Sequence, residues 1–447
     1  MRNSAVRNSK DSRGKVRAIY AFINEHLYFS RPDLNLHGEP ANATLLLSLL
    51  TALTGGKALV IGEPGLGKTT AAEYVCAMVY GFPLGVIWSS VVGGHPEQTE
   101  EKIVGRPDLG KLNQGEEVVI WSHFARLPVK IVDEINRLPE TKQSLILDGV
   151  ERGKWEYLNQ SLINDEFCLF ATANYQDQGT NTLVPPLLDR FDIVVESKHP
   201  GANIASLIGQ DHSPETILRH PASEETFLTA LRDGRNGKQD PVAQAHKQFA
   251  KAVQQHCGVT LLSHAERQTL RQDIAAMEVD LAANAFIRMV LSELSFCCQY
   301  GQKRSGEPCD EGCHYTGYLC YEVNNCASNR LPGSIYRYAR ALAWWLGHDR
   351  VEVEHVRLVL PYAMAHRTQW RESYLLTRER ERRQEPLMLH AARQATADIF
   401  RRFHEQQHDV MQALSLAAHC LENDADIALP QGDHPLYAEI RRDLGLE

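Results

Sequence analysis

The decapeptide IGEPGLGKTT, Ile61 to Thr70, constrains this chain more than any other stretch. Gly62, Gly67, Lys68 and Thr69 fit the pattern G-x-x-x-x-G-K-[ST]. The apolar run KALVIG precedes it with strand character, and TTAAEYVCAMVY follows with apolar residues at helical spacing. Strand, glycine-rich turn and helix in that order form a cradle for nucleotide phosphates. The glycines let backbone N–H groups converge on an anion, and the helix N-terminus adds the positive end of its dipole. The cradle comprises Gly62, Glu63, Pro64, Gly65, Gly67, Lys68, Thr69 and Thr70. Lys68 is expected on the β- and γ-phosphates of ATP, and the Thr69 hydroxyl on Mg2+.

A cradle that also hydrolyses its nucleotide needs acid on a second strand. VKIVDEINR supplies it, because Val129 to Val132 read as a strand ending in Asp133 and Glu134. Asp133 is expected in the magnesium shell, and Glu134 as the general base that polarises the attacking water. Two acids after a buried strand also suit a helix N-cap, a reading that the cradle displaces. A third strand, FCLFATAN, ends at Asn174, whose amide either orients the lytic water or forms a turn. In LVPPLLDRFDIVVE, Arg190 lies between a helix-like run and a fourth strand. An arginine there either reaches a γ-phosphate across a subunit boundary or stays on the surface.

The order of these parts resembles the AAA+ ATPases, and within them the MoxR-type branch of the helix-2-insertion clade. GEPGLGKT, VDEINRLPETKQSLILDGVERGKWEY, FATANYQDQGTNTLVPPLLDRFD and SNRLPGSIYRYARALAWWLGHDRVEVEHV carry the resemblance. It covers residues 40 to 200 strongly and 270 to 366 more loosely. It implies sensor 1 at Asn174, an arginine finger at Arg190 and sensor 2 at Arg330, which would touch the γ-phosphate from a lid. TANYQD stands where the family often has Gln-Asn-Pro, so the asparagine is kept and the local turn differs. The resemblance further implies a homo-oligomeric ring, a hexamer, acting on a protein client, with a von Willebrand A-domain protein as partner. In that family a pore insertion occupies the place of GKWEYLNQSLINDEFC. The residues themselves read as a hairpin turning near Asn164 and Asp165.

The implied fold is α/β: a P-loop NTPase αβα core with a parallel sheet, a helical lid domain and a helical C-terminal tail. The expected divisions are a basic N-terminal arm and helix (1–39), the ATPase core (40–200) and a linker with short helices (201–256). The lid (257–366), with a Cys-rich insertion at 297–329, and the tail (367–447) follow. The basic start has no apolar stretch of signal-peptide type and reads as a solvated arm. In the lid, Trp344 and Trp345 read as core. The long polar loop Gly94 to Leu112 reads as functional, with Arg106 near a pore or subunit interface. In the tail, RERERR alternates in sign and reads as a solvated helix face.

Six of the 10 cysteines crowd into the insertion. Cys298, Cys309, Cys313 and Cys320 are one possible tetrahedral set for structural zinc. An iron–sulfur cluster or free thiols also suit the spacing. Ten cysteines at irregular spacing, without a signal peptide, suggest a reducing cytoplasm. No run approaches the roughly 18 apolar residues that span a bilayer. A net charge of −9 argues against a surface built for nucleic acid. Remodelling of a protein client is therefore the leading expectation. A nucleic-acid-dependent motor or restriction-type ATPase is the alternative, and a non-hydrolysing nucleotide-gated scaffold is a third.

Overall fold

The computed structural model describes residues 2–36, 38–174, 183–210, 216, 218–233, 241–297, 301–303, 309, 313, 315–381, 385–423, 432 and 434–445, without the side chains of 2–10, 209–210, 232–233, 241 and 420–423. The chain divides into two compact units, Met1–Ile274 and Ala275–Glu447.

The first unit is built on a five-stranded parallel sheet. Its strands are β1 (Lys57–Ile61), β2 (Val92–Gly93), β3 (Val129–Asp133), β6 (Cys168–Ala173) and β7 (Ile193–Glu196), in spatial order β7-β1-β6-β3-β2. Between β3 and β6 runs an antiparallel hairpin, β4 (Lys154–Tyr157) and β5 (Gln160–Ile163). All six residues of β6 are buried. Helices cover both faces of a parallel sheet, so its strands read as unbroken apolar runs, as KALVI and FCLFATA do.

Helix α1 (Arg2–Phe22) turns the expected solvated arm into packed structure. Val16 and Ile19 on it have no exposed surface, and Lys15 reaches Glu266 at 2.5 Å. Helix α2 (Ala43–Thr54) is capped by Asn42, whose Oδ1 accepts from the Leu45 N–H at 2.8 Å. It is buried from Ala43 to Leu53, its one polar stripe of Thr44, Ser48 and Thr51 included, and the Thr44 and Thr51 hydroxyls donate to the Glu196 and Leu47 carbonyls at 2.7 Å. Helix α3 (Lys68–Tyr80) leaves the cradle, and α4 (Glu140–Arg152) follows β3. The expected linker at 201–256 contains α5 (Pro221–Asp233) and α6 (Pro241–Cys257), of 13 and 17 residues. They bury Phe227, Phe249 and Val253.

The hairpin turns at Leu158 and Asn159, at φ 44° and 57°, rather than near Asn164 and Asp165. A two-residue hairpin loop favours two left-handed residues, because their twist matches that of the strands. Asn164 does something else: its Oδ1 accepts from Trp155 Nε1 at 2.9 Å and its Nδ2 donates to the Ala125 carbonyl at 3.1 Å. Lys130, read as part of an apolar strand, is fully buried and donates to the carbonyls of Phe124, Ala125 and Leu127 at 2.5–2.8 Å. Burial pushes its amine well below the usual lysine range.

The second unit is helical: α7 (Leu281–Ser295), α8 (Arg330–Leu346), α9 (Val353–Met364), α10 (Glu372–Glu381), α11 (Leu387–Asn423) and α12 (Pro435–Asp443). Trp344 and Trp345 lie in its core. Glu293 on α7 has no exposed surface and gathers three partners. These are Arg402 Nη2 at 2.7 Å, His434 Nε2 at 3.1 Å and the Leu319 N–H at 2.9 Å. One carboxylate thus ties α7, α11, the start of α12 and the end of the Cys-rich stretch together.

Candidate nucleotide site

Five of the expected side chains, Lys68, Thr69, Asp133, Glu134 and Asn174, converge at the carboxyl ends of β1, β3 and β6. Lys68, at the first position of α3, is 7% exposed and donates to three oxygens. They are the carbonyls of Gly62 and Glu63 at 2.9 and 2.8 Å, and Asn174 Oδ1 at 2.7 Å. Asn174 in turn donates from Nδ2 to Glu134 Oε1 at 2.8 Å. The chain Lys68–Asn174–Glu134 therefore crosses three adjacent strands. Glycine is required at position 62: its φ is 151°, and a Cβ there would stand 2.6 Å from the Ser197 carbonyl.

Beside that chain, Thr69 Oγ1 donates to Asp133 Oδ1 at 2.5 Å. Thr172 Oγ1 donates to the same oxygen at 2.7 Å and accepts from the Glu134 N–H at 2.8 Å. A hydroxyl and a carboxylate so close together form the hard oxygen pair that suits Mg2+, so the residues fit that ion. Glu134 has left-handed backbone at φ 53° and ψ 51°. A non-glycine residue held there costs on the order of 1–3 kcal/mol, a cost found mostly at functional sites. Its second oxygen, Oε2, meets Arg137 Nη1 at 2.9 Å.

The cradle is braced from behind. Ser197 Oγ donates to the Leu66 carbonyl at 2.7 Å, so the Tyr28 hydroxyl must donate to Ser197, at 3.0 Å. Burial pushes the Tyr28 phenol up, which keeps it a neutral donor.

Arg190 lies elsewhere in this unit. Its Nη1 is paired with Asp148 on α4, with Glu151 at 3.9 Å, and not with Lys68, Asn174 or Glu134. Arg330 is exposed at the first position of α8 in the second unit. Sequence reasoning missed Thr172, Arg137, Tyr28 and Ser197. Only Arg137 left a local signal, its place in DEINR.

Of the proposed zinc ligands, Cys298 lies outside the described residues. Cys309, Cys313 and Cys320 do not by themselves form a three-ligand group among the described residues, where His348, Glu352 and His355 do. In that trio His355 Nδ1 accepts from the Glu352 N–H at 2.8 Å, so its Nε2 carries the proton and donates to His348 Nδ1 at 2.8 Å. The facing nitrogens are thereby satisfied as a hydrogen-bonded helix corner. Among the described residues no helix is long and apolar enough to cross a membrane.

The AAA domain family (dynein-related subfamily) matches residues 57–191, and the AAA lid domain family matches residues 325–397. No curated protein matches the chain. The solved structure of a candidate ATPase from Cytophaga hutchinsonii ATCC 33406 aligns over 89% of this chain and 97% of that one. Its TM-score is 0.59 at 17% identity, a likeness of fold. With the cradle, the acidic strand end and the helical unit in view, the chain carries an AAA domain and an AAA lid domain on the AAA+ P-loop NTPase fold.

Proposed function

We propose that the chain is a MoxR-type ATP hydrolase that couples turnover in a homo-oligomeric ring, a hexamer, to remodelling of a protein client. The chain Lys68–Asn174–Glu134 beside Thr69–Asp133 carries this reading. It links a phosphate-binding ammonium to a candidate base through one amide. In the proposed reaction Lys68 holds the β- and γ-phosphates, and Asn174 orients the water. Glu134 takes a proton from that water as it attacks the γ-phosphorus, and the bond to the β-γ bridging oxygen breaks to release ADP. Mg2+, held by Thr69 and Asp133, would neutralise phosphate charge. Arg190 serves the neighbouring subunit's nucleotide, and Arg330 senses its own from the lid.

A surface in the first unit favours a polypeptide client over nucleic acid. Leu109, Leu112 and Val118 are 69, 42 and 38% exposed, and Leu158 and Ile163 on the hairpin are 37 and 68% exposed. Gln160 Nε2 donates to the Glu117 carbonyl, which ties the hairpin turn to the Val118 loop. Two cations of this region are paired with carboxylates, Lys111 with Glu116 at 3.1 Å and Lys154 with Glu156, while Arg106 is exposed. Phosphate backbones need unpaired Lys and Arg, and single strands need stacking aromatic rings. A von Willebrand A-domain partner, a cytoplasmic setting and structural zinc at Cys298, Cys309, Cys313 and Cys320 belong to the same proposal.

The test is the Glu134→Gln variant, which should bind ATP, lose turnover and retain a polypeptide client in pull-downs. Normal hydrolysis by that variant would overturn the reading. Stimulation by DNA or RNA alone would favour the nucleic-acid motor. Elemental analysis decides the zinc, because a fully folded chain without metal excludes it.

A further inference from the structure

We propose that Arg137 is a positioning residue that fixes the plane of the Glu134 carboxylate for catalysis. The inference rests on the reading of Glu134 as the base. The final torsion of a glutamate, an sp3–sp2 bond, has a broad, roughly two-fold profile. A single donor therefore leaves the carboxylate plane loosely set. Here the two oxygens are held from different elements. Asn174, at the end of β6, takes Oε1 at 2.8 Å, and Arg137 takes Oε2 at 2.9 Å. Each oxygen keeps a second lone pair to receive a water proton.

The arm that carries Arg137 is rigid at its base. Residues Ile135–Arg137 form a single 3-10 turn, closed by the Arg137 N–H on the Glu134 carbonyl at 2.9 Å. That turn brings the side chain three residues on back over the carboxylate. Ile135 and Leu138 have no exposed surface. Buried Gln143 braces the turn's exit by donating from Nε2 to the Leu138 carbonyl at 2.9 Å. The guanidinium tip is only half-buried, so its removal leaves the packed turn in place. Glu134's left-handed backbone sets where the side chain starts, and the two donors set how it ends.

The test compares Arg137→Ala and Arg137→Lys by steady-state MgATP hydrolysis. Arg137→Ala should lower kcat by about 10- to 100-fold, the scale of a misplaced catalytic group, with KM for ATP within about twofold. Arg137→Lys should recover much of the rate, and added guanidinium ion should raise the rate of Arg137→Ala but not of the parent. On a Glu134→Gln background, Arg137→Ala should cost nothing further, because the group it positions is gone. Wild-type kcat in Arg137→Ala, or a further loss on the Glu134→Gln background, overturns the proposal. So does a loss that neither lysine nor guanidinium repairs. Full turnover in Glu134→Gln alone would instead sink the reading of Glu134 as base, so the two failures are distinguishable.

Discussion

A Cβ placed on Gly94 would stand 2.0 Å from the carbonyl oxygen of Glu134, because the Gly94 N–H donates to the Asp133 carbonyl at 2.7 Å. The loop after β2 is thus pressed against the backbone of the acidic strand end. Here glycine is required for space. Neither backbone can retreat without moving Asp133 or Glu134. Gly94→Ala is expected to cut ATP turnover at least about tenfold, as a displaced catalytic group does. Gly333→Ala on α8 meets nothing within 4 Å and should leave turnover unchanged while stabilising the helix by roughly 0.5–1 kcal/mol. Steady-state assays and thermal melts of the two variants check the contrast.

Arg190 is engaged with Asp148 and Glu151 on its own α4, so a role at a neighbour's nucleotide requires it to exchange those partners. Arg190→Ala should bind ATP normally and lose about 10³–10⁵ in turnover. Mixing it with Lys68→Ala, which keeps the arginine but lacks the cradle cation, should restore part of the activity. No recovery over a range of mixing ratios would argue that the arginine acts within one chain.

Glu293 provides a pH prediction for the second unit. Burial pushes its carboxyl up, but the hydrogen bond from His434 and the charge of Arg402 outweigh burial and hold it below the usual carboxylate range. A folded value below the unfolded one, about 4.3 for glutamate, adds stability above that value and loses it as pH falls through the folded one. The thermal transition of this unit should therefore drop as pH falls below about 4. Glu293→Gln leaves Arg402 without its buried partner. It should cost about 3–5 kcal/mol near neutral pH and flatten the acid dependence. Calorimetry across pH tests both.

Tyr28 braces the cradle indirectly, through Ser197 and the Leu66 carbonyl. Tyr28→Phe should cost about 1 kcal/mol of nucleotide binding, near a fivefold weaker Kd, with the fold intact. Titration calorimetry with an ATP analogue measures it.

The residues that could be read from sequence are those whose role is local. The cradle is one continuous stretch, and Asp133, Glu134 and Asn174 end apolar runs of strand type. Thr172 and Ser197 act through the register of parallel strands, such as Ala173 opposite Ile61 and Glu196 opposite Ile61, and Tyr28 through a contact to Ser197 far along the chain, none of which a local pattern encodes. The hairpin turn was misplaced because Leu158–Asn159 lacks the glycine that usually marks a left-handed pair. The Asn-Asp pair at 164–165 looked like a turn, but Asn164 is used to tether Trp155. The packing of the basic N-terminal start was hidden by its charge, since only a narrow face carrying Val16, Ile19 and Ile23 is apolar.

The parallel order β7-β1-β6-β3-β2 fixes the interval between the residues that would meet a nucleotide. Adjacent strands stand about 4.8 Å apart wherever their ladder is intact. Lys68, Asn174 and Glu134 are therefore mounted on neighbouring rungs of a stiff comb. Loss of a terminal phosphate cannot be absorbed by respacing those rungs. What can still turn at their tips is side chains, the Glu134 carboxylate and the Arg137 guanidinium that meets it among them.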